Sequence, residues 1–252
     1  MAGPARGPLV VVRAAWRVGR LVLHVLHGMA VMALRFPSLD AAGRQCRIQW
    51  WSAGLLRAAG VGLQVRGVPR PGATLLVANH VSWLDIAALH AAVPQARFVS
   101  KADVLRWPLL GWLVAGAGTL FIARERKRDA LRVVHAMADA LAAGQTVAVF
   151  PEGTTGPGPQ LLPFHANLLQ AAITTATPIQ PAVLRFADAQ QRFSPAVAYI
   201  GDTSLLQSLW WVASASGLVA HVDLLPPQAS AHADRRALAE HLRQGMAEAL
   251  AS

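Results

Sequence analysis

The chain has 252 residues, enough for one substantial core, and its length favours one domain with appended elements over two full domains. Hydrophobic residues make up 54% and charged residues 14%, against about 25% charged in an ordinary soluble domain, so the surface is not built only to face water. The charges are lopsided: 23 Lys plus Arg against 13 Asp plus Glu give a net charge of +10, which selects anionic partners such as nucleic acid, lipid headgroups, coenzyme A phosphates or an acidic carrier protein.

Basic residues here punctuate long apolar runs instead of decorating a polar surface. That distribution suits a membrane interface and argues against nucleic acid. The single cysteine, Cys46, excludes an intrachain disulfide and a paired-cysteine zinc site, fits a reducing compartment, and leaves no metal expected.

In chain order, the stretch from Pro8 to Leu34 is apolar, but Arg13, Arg17, Arg20, His24 and His27 recur at helical spacing along one side of it. Val12, Trp16, Val22, Leu23, Leu26 and Ala30 form the other side. The run between Arg20 and Arg35 falls short of the roughly 20 apolar residues that span a bilayer core, and there is no convincing small-residue cleavage site. A helix lying among headgroups is expected. After a break at Phe36 and Pro37, a second helix is expected from Leu39 to Ala59, carrying Arg44, Arg47, Arg57, Trp50 and Trp51. Residues 1–60 thus read as an N-terminal pair of amphipathic, membrane-associating helices, and residues 61–252 as an α/β domain.

From Val61 onward, short apolar runs alternate with helical stretches. Strands are predicted at Leu63–Arg66, Ala73–Ala78, Thr119–Ala123, Thr146–Phe150, Ile179–Leu184, Ala196–Ile200 and Val219–Leu225. Helices are predicted at Asp129–Ala143, closed by Gly144, and at Ala231–Ala251. Thr203–Val222 carries no Lys, Arg, Asp or Glu but holds Trp210 and Trp211; its serines and Gln207 favour an interfacial or buried segment over a spanning one. The fold class expected is α/β, a mixed central sheet flanked by helices.

The run from Leu75 to Asp85 reads as a buried strand, a short turn, and a helix beginning near Ser82. His80 then sits at the strand's C-terminal mouth, where open α/β sheets bind ligands. Ser82 and Asp85 also fit a capping box, in which the carboxylate accepts backbone N–H groups of the first helical turn. Phe150, Pro151, Glu152, Gly153, Thr154 and Thr155 follow another buried strand and open a loop rich in Gly and Pro, where a glycine lets backbone N–H groups approach an anion.

Asn79 and His80 with Asp85, followed by Phe150-Pro151-Glu152-Gly153-Thr154, resemble the glycerolipid acyltransferase family and, in order and separation, its bacterial lysophosphatidic acid acyltransferases. Gly118 to Arg124 is similar to the family's arginine-bearing motif, and Thr177 to Ala182 to its late proline block. Lys101 and the run Trp107 to Gly111 sit where the family has a lysine and a proline-glycine turn. The resemblance covers about Ala73 to Val183 and extends to the N-terminal two-helix motif. It implies that His80 is the general base on an acceptor hydroxyl and Asp85 its orienting partner. The deprotonated oxygen attacks an acyl-ACP or acyl-CoA thioester directly, with no acyl-enzyme and no cofactor.

Ser82 is then a cap and not a nucleophile. Asn79, Glu152, Gly153 and Thr154 are expected around the substrates, with Lys101 and Arg124 binding an acceptor phosphate and N–H groups near Gly153 stabilising the oxyanion. The family's loop often reads Glu-Gly-Thr-Arg, and Thr155 replaces that arginine here. The expected acceptor is 1-acyl-sn-glycerol-3-phosphate, giving phosphatidic acid; another lysolipid such as lyso-ornithine lipid, or a catalytically silent lipid-binding protein, is the alternative. The expected location is the cytoplasmic face of the inner membrane, as a peripheral or monotopic protein on an anionic surface.

Overall fold

A computed structural model describes residues 7–101, 110–122 and 127–252 of the chain. Helix α1, Pro8–Leu34, opens with proline in its first turn, where a missing N–H is no loss. A 3₁₀ turn at Phe36–Ser38 leads to α2, Ala41–Ala59. The Asp40 carboxylate caps α2 by accepting the Gly43 N–H at 2.8 Å, and Gly60, at φ 81°, ends it.

A seven-stranded sheet follows, in the order β1-β7-β6-β2-β5-β3-β4. Its strands are β1 (Val61–Arg66), β2 (Thr74–Ala78), β3 (Arg97–Lys101), β4 (Leu120–Ile122), β5 (Thr146–Val149), β6 (Ile179–Ala187) and β7 (Leu218–Leu224). Every pairing is parallel except β6 with β7, so the sheet is mixed, as expected. β2 and β5 are buried along their whole length, which a strand covered on both faces requires.

Side chains alternate between two apolar layers. Leu76 and Ala78 join Leu55, Leu56, Leu84, Leu89 and Val212 in one cluster, which draws on α2, α3 (Leu84–Ala92) and α7 (Leu205–Ser214). Leu75 and Val77 join Val133, Met137, Leu169, Leu242 and Met246 in the other, drawing on α5 (Lys127–Ala142) and α8 (Arg235–Ala251). The short helices α4 (Leu110–Gly116) and α6 (Gln170–Thr174) complete the fold. α2 therefore packs directly on the α/β core.

Two expectations change. Ala196–Ile200 is not a strand: both sides of β6, the strand it follows, are already taken by β7 and β2. The segment instead crosses the turn after β2, where the Tyr199 N–H donates to Val81 O at 3.1 Å. Thr203–Val222 divides at Gly217, φ 68°, into α7 and β7.

The arginine side of α1 also has an unforeseen use. Arg13 donates to Ser214 O at 2.6 Å, and Arg17 donates to Ala213 O at 3.0 Å and Ala215 O at 2.5 Å. These cations satisfy the carbonyls at the end of α7 and complement its dipole. Outward, α1 presents large apolar side chains beside the exposed Arg20 and His27: Leu9, Val12, Trp16, Leu23 and Leu34 are each at least 68% exposed. No helix among the described residues is long and apolar enough to cross a membrane.

Candidate active site

β2 delivers Asn79 and His80 to the C-terminal edge of the sheet, and the turn Val81–Trp83 leads into α3. Asn79 is 1% exposed, and its amide is engaged both ways with β6, donating to Leu184 O at 2.9 Å and accepting from Leu184 N at 2.7 Å. These two bonds staple the end of β2 to its neighbour.

Asp85 lies in the first turn of α3 and is fully buried. Its Oδ2 accepts from His80 Nδ1 at 2.7 Å, Val81 N at 2.6 Å and Ser82 N at 2.8 Å. The capping geometry and the imidazole contact are therefore one structure, not alternatives. Because a carboxylate offers only acceptors, Nδ1 carries the proton and neutral His80 presents the Nε2 lone pair. Ser82 is buried, with its Oγ facing the Leu84 N–H at 3.4 Å, and Trp83 occupies the cap position expected for it.

The loop after β5 holds His80 from the other side. Phe150 stacks on the imidazole with centroids 4.1 Å apart and planes at 13°, and Phe98 backs Phe150 at 5.7 Å. Glu152 Oε1 accepts the His80 N–H at 2.8 Å, while Oε2 accepts the Leu162 N–H at 2.8 Å. The Gly156 N–H donates to His80 O at 2.7 Å. Both peptide groups of His80 are thus clamped by this loop. Burial pushes the Glu152 carboxyl above its ordinary range, opposed by the two N–H donors and by His80. Glu152 is 5% exposed, with both oxygens engaged by backbone N–H groups.

Gly153 adopts φ 70°, and a Cβ there would come within 2.9 Å of the His165 ring, so both the backbone and the close approach call for glycine. Its N–H donates to Phe150 O at 3.1 Å and closes the turn. Thr154 is exposed beside it. The Thr155 hydroxyl donates to Tyr199 O, fastening the crossing segment to the loop. Lys101 ends β3 in register with Ile122, while Arg124 lies outside the described residues. His165, Leu162 and Tyr199 went unnoticed in the sequence, where no spacing or motif marks them. Among the described residues no group of His, Cys, Asp or Glu side chains is placed to hold a metal ion.

Residues 63–185 match the Acyltransferase family. A lyso-ornithine lipid O-acyltransferase of Pseudomonas aeruginosa is 36% identical over 94% of this chain and 93% of its own. A 1-acyl-sn-glycerol-3-phosphate acyltransferase of Neisseria meningitidis serogroup B is 37% identical over 77% of this chain and 76% of its own. The crystal structure of the 1-acyl-sn-glycerophosphate acyltransferase PlsC from Thermotoga maritima superposes with a TM-score of 0.74 at 15% identity, covering 98% of both chains, and so shares the fold. With one relative 36% identical over 94% of the chain and another 37% identical over 77% of it, the protein belongs to the acyltransferase family and is an enzyme that transfers acyl groups.

Proposed function

We propose that this enzyme transfers a fatty acyl group from an acyl-ACP or acyl-CoA thioester to the free hydroxyl of a lysolipid at the cytoplasmic membrane face, where such thioesters are made. The observation that carries the reading is the buried Asp85 carboxylate on His80 Nδ1 at 2.7 Å, which leaves Nε2, on a side chain 20% exposed, without a partner among the described residues. His80 Nε2 takes the acceptor hydroxyl proton as the oxygen attacks the thioester carbonyl. The tetrahedral oxyanion collapses with cleavage of the C–S bond, and the same proton passes from Nε2 to the departing sulfur. Asp85 holds the tautomer and stabilises the transient imidazolium. The Thr154 N–H, which has no acceptor among the described residues, is the candidate oxyanion donor.

The acceptor best supported is lyso-ornithine lipid. The Glu152 loop carries no Lys or Arg from Pro151 to Gln170, and Thr155, standing where the family's arginine often stands, uses its hydroxyl on Tyr199. A loop without cations suits a zwitterionic amino-acid headgroup better than a phosphate monoester, and the Pseudomonas relative named for that acceptor matches over nearly its full length. Lysophosphatidic acid is the second reading, favoured by the Neisseria relative and by Lys101 and Arg124 as phosphate-binding candidates. The outward apolar face of α1 supports monotopic attachment.

The test is purified enzyme with labelled acyl-CoA and acyl-ACP against lyso-ornithine lipid and lysophosphatidic acid. One acceptor is consumed, and His80→Ala lowers turnover by about 10³-fold with the fold intact. Turnover unchanged in His80→Ala overturns the mechanism; preferential use of lysophosphatidic acid overturns the acceptor.

A further inference from the structure

The exposed apolar side of α1 borders a polar hollow. Between α1 and α2 a cavity of about 440 Å³ is lined by Arg20, Leu23, His24, His27, Trp50 and Arg57. Four of these six are basic side chains, and neither α1 nor α2 contains a single Asp or Glu. Among the described residues no carboxylate pairs with Arg20 or Arg57.

The floor is constructed, not incidental. Gly54 has no side chain because a Cβ there would lie 2.4 Å from the His24 ring, so α2 admits the imidazole into the helix interface. His24 Nε2 donates to Trp51 O at 2.8 Å, and the Trp51 indole N–H donates back to His24 O at 3.2 Å. Trp50 forms a wall, edge-on to the His27 ring at 5.4 Å and tilted against His24 at 5.9 Å, and is itself 44% exposed. The His24 pKa is lowered by burial first, then by His27, Arg57 and Arg20. That imidazole therefore registers the same unbalanced positive field that an anion in the cavity would neutralise.

We infer that this cavity is a binding site for the phosphate of an anionic lipid headgroup, held by the forks of Arg20 and Arg57 and separate from the His80 cleft. Apolar exposure surrounds the cavity: Trp16 and Leu23 on α1 are each 68% exposed, Leu26 50% and Trp50 44%. An anion entering from the bilayer keeps its acyl chains against this face while its phosphate replaces headgroup water with charge-assisted hydrogen bonds. Trp50 sits where an amphipathic ring prefers to lie, at headgroup depth. The inference rests on the membrane attachment proposed above but not on the chemistry at His80.

The experiment is sedimentation of the full-length protein with vesicles of phosphatidylcholine alone or mixed with phosphatidylglycerol. It compares wild type, the pair Arg20→Gln and Arg57→Gln, the pair Arg20→Lys and Arg57→Lys, and a charge-matched control, Arg235→Gln with Arg236→Gln on α8. The glutamine pair is expected to bind the mixed vesicles roughly 30-fold more weakly, at about 1 kcal/mol per arginine, and phosphatidylcholine as wild type does. The control is expected to lose less than about threefold on a surface remote from the lipid. The lysine pair keeps the charge but not the fork, and stays below wild type on mixed vesicles.

A glutamine pair that behaves like the control overturns the site. Full recovery by lysine overturns it in favour of diffuse attraction, and equally strong capture of inorganic phosphate in solution overturns the lipid as its source. Failure of wild type to bind either vesicle overturns the membrane attachment itself.

Discussion

Asp85→Asn separates what the carboxylate does for shape from what it does for charge. Three donors converge on Oδ2, namely His80 Nδ1 and the N–H groups of Val81 and Ser82, all within 2.8 Å. An asparagine must turn its carbonyl oxygen to that position, since its NH₂ would face three N–H groups. The NH₂ then takes the place of Oδ1, which is buried and has no partner among the described residues. Leaving that amide unsatisfied costs about 1–3 kcal/mol of stability. The tautomer of His80 survives, because the backbone fixes the amide orientation.

What disappears, in the proposed mechanism, is the negative charge beside the imidazolium that forms as the acceptor is deprotonated. In a serine-hydrolase triad the corresponding change costs about 10⁴ in kcat because the wrong tautomer is stabilised. Here, with the tautomer retained, the expected loss is about 10²–10³, or about 3–4 kcal/mol of transition-state stabilisation. Steady-state turnover of acyl thioester with the accepted lysolipid measures the first quantity and thermal unfolding the second. Activity within about threefold of wild type refutes the role of the carboxylate. A loss beyond about 10⁴ at wild-type stability refutes the backbone lock.

Two further outcomes follow from burial and exposure. Burial lowers the His90 pKa from 6.5 to about 4, so the folded state binds fewer protons than the unfolded one between those values. Stability is full above that window and falls by about 3 kcal/mol as pH drops through it; denaturant titrations across the range should show His90→Leu flattening this slope, and an unchanged slope contradicts the assignment. Trp16 and Leu23 are each 68% exposed on α1, so replacing both with serine should leave the thermal midpoint unchanged. The same change should weaken binding to phosphatidylcholine vesicles at least about 30-fold, at roughly 1–2 kcal/mol per side chain withdrawn from lipid; undiminished binding places the lipid contact elsewhere.

Six of the seven strands could be read from sequence to within a few residues: β2, β5 and β6 from nearly continuous apolar runs, β7 from alternation, and β1 and β4 from shorter apolar stretches. β3 escaped notice because Arg97, Ser100 and Lys101 interrupt its apolar residues, a pattern that favours no period. Ala196–Ile200 misled for the opposite reason: its apolar run fits a strand, but pairing needs a free neighbour, and the side of β6 it could have taken is occupied by β7 folding back.

The same division runs through the site. That an imidazole and a carboxylate at positions 80 and 85 meet was legible, since a strand end and a first helical turn bring them together locally. That Glu152 serves the peptide N–H of His80, and that Arg13 and Arg17 serve the carbonyls ending α7, was not, because these contacts join segments separated by 72 and about 200 residues along the chain.

His80 is restrained from every direction that does not face substrate. Asp85 fixes Nδ1, Phe150 covers one ring face, Glu152 takes the N–H and Gly156 the carbonyl side. Asn79, one residue earlier, ties the strand end to β6. Each restraint removes a motion that would otherwise have to be frozen when acceptor and thioester arrive, and holding a reacting group in place is among the larger sources of rate acceleration. This explains why two motifs so far apart in sequence form one unit: in the proposed mechanism the first supplies the base and its carboxylate, and the second supplies the mould that keeps the base still. It also explains why the carboxylate of Glu152 is retained at a site where burial disfavours its charge. A neutral amide offers one acceptor where the His80 and Leu162 N–H groups need two, so the loop and the base remain joined only with a carboxylate between them.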